Sequence, residues 1–469
     1  MVNEERLYEE MNHCSRCGTC LAHCPVYRET LEEQYVGRSK VFLFRALWEG
    51  KLDTTGRLGQ IFDLCLLCRS CTAACPNGVR VDLLVEAVRQ RYTTRHGLSV
   101  AKRTVLGLLG NERSIRPALQ AGHLYQSLGL EGILRRFPFL RETAPALANA
   151  VDYVPKLEGR PLTDQYPEVI GPDPESWTET RPAKRGSWVG GEETLIGDAT
   201  PVKKSPEGKV RPDRPQARVG YFVGCGTNYF RPQTGRATIE VLRHNGYEVV
   251  IPEQSCCGLP ALAAGDRKKA QEMAQANLKY FLAADVDFIV TDCASCGSTL
   301  KEYGEILDDP AVGVFTGRVR DINEFLVREG HRLPEGRVKK KVTYHDPCHL
   351  KRAQGIQQEP RQLLGEIPAL QFQEMAEADR CCGGGGTFAV SHWDIAQKIG
   401  RRKVENIRAT EAEVVATACP GCALQIEASL RGAGLKVEVR HTVELLAEAY
   451  REEKGISPAP AASGGVALK

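Results

Sequence analysis

Apolar residues recur at helical intervals along the amino-terminal third of the chain. The pattern is clear in residues 39–48 and again in 81–91, where apolar side chains return every three to four positions. Further helical patterns follow between residues 98 and 150. We therefore predict a helical domain over residues 1–95 and a helical extension over residues 96–150.

The next segment, residues 151–217, differs in composition. It holds ten of the chain's 26 prolines, together with scattered glycines and charges of both signs. Because proline fixes the backbone and removes an amide donor, this composition predicts an extended linker. The last residues, 456–469, are dominated by small residues and proline, and they predict a disordered tail.

After the linker, short β-branched runs alternate with helical patterns. In the first half these are the strands 218–223, 247–251 and 287–291 and the helices 236–245 and 268–284. In the second half they are the strands 342–344, 370–373, 414–417 and 436–439 and the helices 360–365 and 394–409, before a terminal helix. Such alternation is typical of α/β units on largely parallel sheets. We predict an α+β multidomain protein in which two repeated α/β modules, residues 218–335 and 336–455, follow the helical domain.

Charge and hydropathy argue against a nucleic-acid partner and against a membrane-spanning protein. The 62 basic residues nearly balance the 59 acidic ones, and they form no long run, so we expect no nucleic-acid partner. No apolar stretch approaches the length of a transmembrane helix, and the amino terminus is charged rather than signal-like. We expect a soluble, cytoplasmic protein without a transmembrane segment; any contact with the inner face of the membrane is expected to be peripheral or through a partner.

Eighteen cysteines dominate the candidate chemistry, and all of them fall in repeating clusters. Two clusters share one spacing, in which three cysteines at intervals of three precede a fourth cysteine and a proline. Their members are Cys14, Cys17, Cys20 and Cys24, and Cys65, Cys68, Cys71 and Cys75. Such short intervals let one turning loop present three soft, anionic thiolates to three corners of an iron–sulfur cube. We predict two [4Fe-4S] cubane clusters, which makes residues 1–95 a helical ferredoxin-type domain.

The fourth ligand of each cube is expected from the other run. In two-cluster ferredoxins the last cysteine of each run ligates the other cluster. The predicted sets are therefore Cys14, Cys17, Cys20 and Cys75, and Cys65, Cys68, Cys71 and Cys24. Arg16 and Arg69 lie between ligands, where they either raise the reduction potential by their charge or are solvated surface residues.

The α/β modules carry a second, repeated constellation of five cysteines. In each module a lone cysteine follows the first predicted strand, an adjacent pair follows the second, and a Cys-X-X-Cys pair follows the third and opens a helix. The two sets are Cys225, Cys256, Cys257, Cys293 and Cys296, and Cys348, Cys381, Cys382, Cys419 and Cys422. Each set is expected at the carboxyl edge of its sheet, near helix amino termini that favour anionic sulfur. Adjacent thiolates do not share one corner of a cube, so each set indicates either a zinc site or an opened iron–sulfur cluster.

These modules resemble the CCG domains of heterodisulfide reductase. Two ferredoxin runs followed by two such modules are similar to the family of glycolate oxidase iron–sulfur subunits, and the segments GCGTNYF, CASCGSTLKEYG, CCGGGGTFAVSH and NIRAT favour that family. The resemblance implies one or two further, non-cubane [4Fe-4S] clusters in the modules. It also implies an oxidoreductase component that serves a flavin-dependent dehydrogenase of 2-hydroxy acids such as glycolate or lactate. A separate FAD-containing subunit would carry the flavin, and electrons would pass toward a quinone or another redox protein.

The residues alone leave alternatives open, because cluster ligands do not identify the molecule that is oxidised. Both five-cysteine sets are complete, so disulfide cleavage of the heterodisulfide reductase type is the alternative function, and a structural zinc in one module is a third. No catalytic residue is predicted, and without a dinucleotide fingerprint we expect no flavin on this chain. His345, Asp346 and His349 flank Cys348, where they either relay protons, donate to cluster sulfur or have a purely structural role.

Overall fold

The amino-terminal domain is helical, as the pattern of apolar residues predicts. The computed structural model describes residues 4–109, 112–129, 149, 153–173 and 217–456. The domain's α-helices are Glu4–Asn12, Cys20–His23, Pro25–Thr30, Gly37–Trp48, Gly56–Asp63, Ser70–Ala73 and Val81–His96. Phe62 and Leu84 are fully buried in its core, and Thr55 caps the fifth helix by accepting a hydrogen bond from the Leu58 amide at 3.3 Å. The short helices Cys20–His23 and Ser70–Ala73 lie within the cysteine runs, between the third and the fourth cysteine or beginning beside the third.

Two helices of the predicted extension, Val100–Leu109 and Glu112–Ser127, continue the chain. Apolar side chains attach the second of them to the first α/β module, where Ile115 and Leu119 cluster with Tyr229. Other predictions lie outside the described residues. They concern residues 110–111, 130–148 and 150 of the extension, 151–152 and 174–216 of the linker, and 457–469 of the tail.

The first α/β module is built on a five-stranded sheet. Its strands are β1 (Val169–Ile170), β2 (Arg218–Tyr221), β3 (Glu248–Val250), β4 (Phe288–Thr291) and β5 (Val319–Asp321), in the order β1-β3-β2-β4-β5. Strands β2 to β5 are parallel, and β1 pairs antiparallel with β3 at the edge. Its helices are Pro232–His244, Leu259–Ala264, Arg267–Ala283, Ala294–Lys301, Val312–Arg318 and Ile322–Glu329, with a π-helix at Gly226–Phe230.

Strand β1 lies within the segment that the sequence predicts to be an extended linker. Its residue Ile170 is aligned with Val249 of β3, and Leu162, in a 3₁₀ turn before the strand, is fully buried in the core of the modules. Residues 153–173 therefore complete the first sheet instead of connecting two domains. Two apolar anchors and a two-residue strand are too short to produce a periodic signal among the prolines.

The second module repeats the topology of the first. Its strands are β6 (Lys341–His345), β7 (Gln371–Phe372), β8 (Val414–Thr417) and β9 (Glu438–His441), all parallel and in the order β7-β6-β8-β9. This order matches β3-β2-β4-β5 strand for strand. Its helices are Cys348–Gln354, Glu359–Gly365, Phe388–Ser391, Trp393–Thr410, Pro420–Gly432 and Thr442–Glu453.

The two modules share one hydrophobic core. Val290 and Phe325 of the first module belong to the same buried cluster as Tyr344 and Tyr450 of the second. Polar contacts cross the same boundary, because Arg451 Nε donates to Glu240 at 2.8 Å. The carboxyl edges of the two sheets, which carry the cysteines, are thereby held together.

Candidate metal centres

The two ferredoxin-type runs form tight loops before short helices. Arg16 and Gly18 in the first run, and Leu67 and Arg69 in the second, have positive φ angles between 52° and 84°. Such left-handed residues turn the backbone sharply within each run. Each loop therefore has a shape that can surround a metal cluster.

The fourth cysteine of the first run lies beside the second run. Cys24 is close enough to Cys65 and Cys68 for their charges to affect its pKa, which burial raises and the buried Lys40 ammonium partly lowers. Cys20 instead has Cys14 and Cys17 as its charged thiol neighbours. Cys24 therefore lies with the thiols of the second run, whereas Cys20 lies with those of the first.

The start of the first run and the end of the second are also close together. Asn77, two residues after Cys75, donates from Nδ2 to the carbonyl of His13 at 2.6 Å, next to Cys14. Backbone amides face two of the first-run thiols: Arg38 N lies 3.3 Å from Cys20 Sγ, and Tyr27 N lies 3.5 Å from Cys24 Sγ. Amides of this kind stabilise thiolates and cluster sulfurs.

Gly37 lies directly between the two runs. A Cβ atom at this position would be 3.0 Å from Cys71 Cβ and 3.5 Å from Cys20 Cβ. The third cysteines of the two runs therefore approach the same glycine from either side. Sequence reasoning missed Gly37, because the two cysteines that surround it are distant in the chain.

The five cysteines of the first module converge at the carboxyl ends of β2, β3 and β4. Their thiols lie close enough to affect one another's pKa values, in the order Cys225, Cys256, Cys257, Cys296, Cys293. The thiols of Cys225 and Cys257 lower the pKa of Cys256. Cys225 is half-buried and the other four are buried.

The five cysteines of the second module converge in the same way. The series runs Cys348, Cys381, Cys382, Cys422, Cys419. The Gly383 amide lies 3.5 Å from Cys381 Sγ, so the glycine-rich loop brings an amide to sulfur. His345 joins this set: one nitrogen of His345 and the sulfurs of Cys382 and Cys422 all lie within 4.8 Å of one another. Burial lowers the pKa of His345 to about 3.

Thiol contacts also connect the separate sets. Cys293 of the first module lies close enough to Cys419 of the second for Cys419 to affect its pKa, and the adjacent backbones are joined by a hydrogen bond of 3.1 Å from Ala294 N to Ala418 O. Cys381 of the second module lies close enough to Cys68 of the second ferredoxin-type run to raise the pKa of Cys68. Neighbouring thiols therefore form a continuous path in space. It leads from the second ferredoxin-type run through the second module to the first module.

Two half-buried arginines connect these sets. Arg352 donates to the carbonyl of Cys68 at 3.2 Å and to that of Asp379 at 2.5 Å, which connects the second run to the second module. Arg69 makes two bonds of 2.6 Å to Glu302 and connects the same run to the first module. Arg69 is thus an ion-paired side chain at a domain boundary, not a solvated one.

A cavity of about 770 Å³ lies beside the first five-cysteine set. Its walls include Cys225, Cys256, Asn228 and Ala276, and the helix Glu112–Ser127 closes one side. Its volume is in the range of small-molecule sites. The π-helix that carries Asn228 is a rare conformation that is frequent at functional sites.

Comparisons with known proteins identify both kinds of cysteine domain. Residues 10–79 match the 4Fe-4S dicluster domain family, and residues 219–301 and 342–427 match the Cysteine-rich domain family. The chain is 31% identical over 466 residues to the probable glycolate oxidase iron-sulfur subunit of Bacillus subtilis, which covers 95% of this chain and 96% of that protein. The chain belongs to the family of glycolate oxidase iron–sulfur subunits.

Other relatives match about half of this iron–sulfur protein. Lactate utilization protein A of an Exiguobacterium strain is 32% identical over 50% of this chain and 98% of its own length. The CoM/CoB fumarate reductase of Methanothermobacter marburgensis has a subunit that is 40% identical over 51% of this chain and 48% of its own length. A solved aspartate racemase homologue from Pyrococcus horikoshii is similar at only 15% identity and a TM-score of 0.22, over 51% of this chain and 99% of that one.

Among the described residues, none of the helices combines the length and the apolar character needed to cross a membrane.

Proposed function

We propose that this chain is the electron-transfer subunit of a flavin-dependent 2-hydroxy acid dehydrogenase. A partner subunit that contains FAD oxidises glycolate or lactate, and this chain passes the electrons toward a quinone or another carrier. The names of the relatives from Bacillus subtilis and Exiguobacterium support the substrate class. Family membership supports the role as an oxidoreductase component.

The observation that carries this proposal is the unbroken series of thiols. From Cys68 it passes to Cys381, through the second module to Cys419, and from Cys419 to Cys293 and the rest of the first module. Metal groups held by adjacent sets would lie close enough for electron transfer. A protein with separate structural metal sites has no need of such continuity.

The donor sets fit iron–sulfur clusters. All eighteen cysteines are free thiols, and the described loops offer them amide donors and a buried cation. We assign the two cubanes to Cys14, Cys17, Cys20 and Cys75, and to Cys65, Cys68, Cys71 and Cys24. We assign a non-cubane cluster to each five-cysteine set. When bound, such clusters accept and donate single electrons.

The cavity beside Cys225 supports an acceptor at the first module. Its charged wall residues balance, since Arg116 and Lys269 face Glu253 and Glu272, so the cavity does not favour an anion. Asn228 is buried, with its side-chain oxygen held by the Thr163 amide at 3.0 Å. This bond leaves its NH₂ group to donate to a ligand. A neutral, ring-sized molecule with carbonyl oxygens, such as a quinone, matches these properties.

The test is reduction of the iron-loaded chain by the substrate. The visible absorbance of the chain, purified anaerobically, is followed after addition of glycolate or lactate, with and without the flavoprotein that co-purifies with it. We expect bleaching only when the flavoprotein is present. Bleaching by neither acid in the presence of that flavoprotein contradicts the proposal.

Disulfide cleavage is the second candidate, and the contact between Cys293 and Cys419 favours it. This contact brings the two five-cysteine sets together, so that a disulfide bound between them would deliver one sulfur to each. Turnover of a heterodisulfide by the iron-loaded chain with a reduced dye would support this candidate. Dye oxidation at the background rate would reject it.

A further inference from the structure

His345 is the one imidazole that the metal-ligand geometry associates with the thiols of the described residues. It ends strand β6, three residues before Cys348, and its side chain is fully buried. One of its ring nitrogens lies within 4.8 Å of both Cys382 Sγ and Cys422 Sγ.

The hydrogen bonds of His345 show which nitrogen keeps a lone pair for a metal. Its Nδ1 atom lies 3.0 Å from the carbonyl oxygen of Ala378. A carbonyl only accepts, so Nδ1 carries the proton and Nε2 keeps its lone pair. Nε2 is buried and has no hydrogen-bond partner in the described structure. A buried polar atom without a partner requires an explanation.

The contacts of the Ala378 carbonyl fix this orientation. The same oxygen also accepts hydrogen bonds from the Asp346 amide at 3.1 Å and from Lys403 Nζ at 3.2 Å. The imidazole is therefore held in one tautomer by a backbone carbonyl. Histidines that ligate metals are typically oriented by such a bond from the other ring nitrogen.

The first module has no imidazole at the matching position. Phe222 lies three residues before Cys225, just as His345 lies three residues before Cys348. Phe222 is fully buried and packs on Phe281 with ring centroids 5.8 Å apart. The repeated modules thus have the same five thiols but differ in whether a nitrogen accompanies them.

We propose that His345 Nε2 is a ligand of the metal group held by the second five-cysteine set. The inference rests on the proposed iron–sulfur occupation of that set, and it makes the two modules chemically distinct. A neutral imidazole in place of an anionic thiolate or an open position changes the charge of the centre, which is a recognised means of tuning the reduction potential. The second module, which lies between the ferredoxin-type domain and the first module, would then have its own potential.

The test is pulsed electron paramagnetic resonance on the reduced, iron-loaded chain labelled with ¹⁵N-histidine. A nitrogen bound directly to iron gives a strong hyperfine coupling, which we expect in the wild-type chain and not in His345→Phe. We also expect the reduction potential of a single cluster to shift in that variant. A wild-type spectrum without strong histidine coupling overturns the proposal. This result does not depend on whether any variant folds.

Two further variants make the assignment specific. His345→Asn keeps a donor for the Ala378 carbonyl but has no ring nitrogen, so it should also lose the coupling while retaining the fold by circular dichroism. His349→Gln is the matched control, since His349 is also beside a thiol, with Nδ1 3.9 Å from Cys348 Sγ. Coupling that survives in His345→Asn, or that is lost in His349→Gln, overturns the assignment. Absence of iron from the second set contradicts the proposed function as well, whereas iron without nitrogen coupling contradicts only the ligand.

Discussion

At the scale of single residues, Gly37 separates the cysteines of the two ferredoxin-type runs. We expect Gly37→Ala to destabilise the domain by about 1–3 kcal/mol, because its methyl group would contact Cys71 Cβ at 3.0 Å and push apart the loops on either side. Anaerobic urea unfolding and the iron content of the purified chain measure the effect.

Gly56 provides the control for this substitution. Like Gly37 it is the first residue of a helix, but a Cβ atom there would meet nothing within 4 Å. Gly56→Ala should be neutral or stabilise the chain by about 0.4–1 kcal/mol through the unfolded state. Equal losses of stability in both variants would show that the cysteine contacts of Gly37 are not the cause.

Glu86 gives a pH-dependent prediction at the same scale. It lines a cavity of about 500 Å³ between the amino-terminal domain and the first module, and burial together with the charge of Asp82 raises its pKa to about 8. The unfolded chain releases this proton at a lower pH than the folded one. Stability is therefore lost as the pH rises from the ordinary carboxyl range toward 8. We expect Glu86→Gln to raise the urea midpoint at about pH 8.5 and to have little effect at about pH 5.

The exposed Glu9 supplies the control Glu9→Gln for the Glu86 variant. The same dependence of the urea midpoint on pH in both variants would contradict the prediction.

At the scale of elements, the segment before the first module is anchored by one side chain. Leu162 is fully buried beneath the helix Pro232–His244, against Gly235. We expect Leu162→Ala to destabilise the chain by about 2–5 kcal/mol and to expose residues 153–173 to protease. Val169→Ala serves as the control, because 47% of Val169 is exposed in β1. Equal protease resistance in both variants would mean that the segment does not depend on this anchor.

The strands show which elements can be predicted from sequence patterns and which cannot. The strands that precede the cysteines were predictable, because their apolar runs are bounded by turn residues, and β2, β3 and β4 lie within the predicted ranges. Strand β5 was missed, because it directly joins the helices Val312–Arg318 and Ile322–Glu329 and no turn residue separates the patterns. Strand β1 was hidden by the prolines that surround it.

At the scale of the whole molecule, the sequence predicted which cysteines form each set but not how the sets meet. The contacts of Cys68 with Cys381 and of Cys293 with Cys419 depend on domain packing, through residues such as Arg352. The spacing of the cysteines along the sequence does not predict such contacts. The partnerless nitrogen of His345 was equally invisible, since it depends on the carbonyl of Ala378, 33 residues away.

The cavity beside the first module gives a prediction at this scale. Ala276→Trp should fill part of the 770 Å³ beside Cys225 and weaken binding of a short-chain quinone by about tenfold or more in isothermal titration. Lys279→Trp, on the exposed face of the same helix, is the control and should bind as the wild type does. Equal affinity in both variants would show that the quinone does not bind in this cavity. It would leave the proposed role of the cysteines unchanged.

The central claim is that four sets of thiols hold iron–sulfur clusters in series. Iron and acid-labile sulfide in the chain purified without exposure to oxygen test it most directly. We predict about sixteen irons per chain, four for each cluster, with a similar amount of sulfide. Correctly folded chain that carries zinc, or no metal, in place of this iron would contradict the claim.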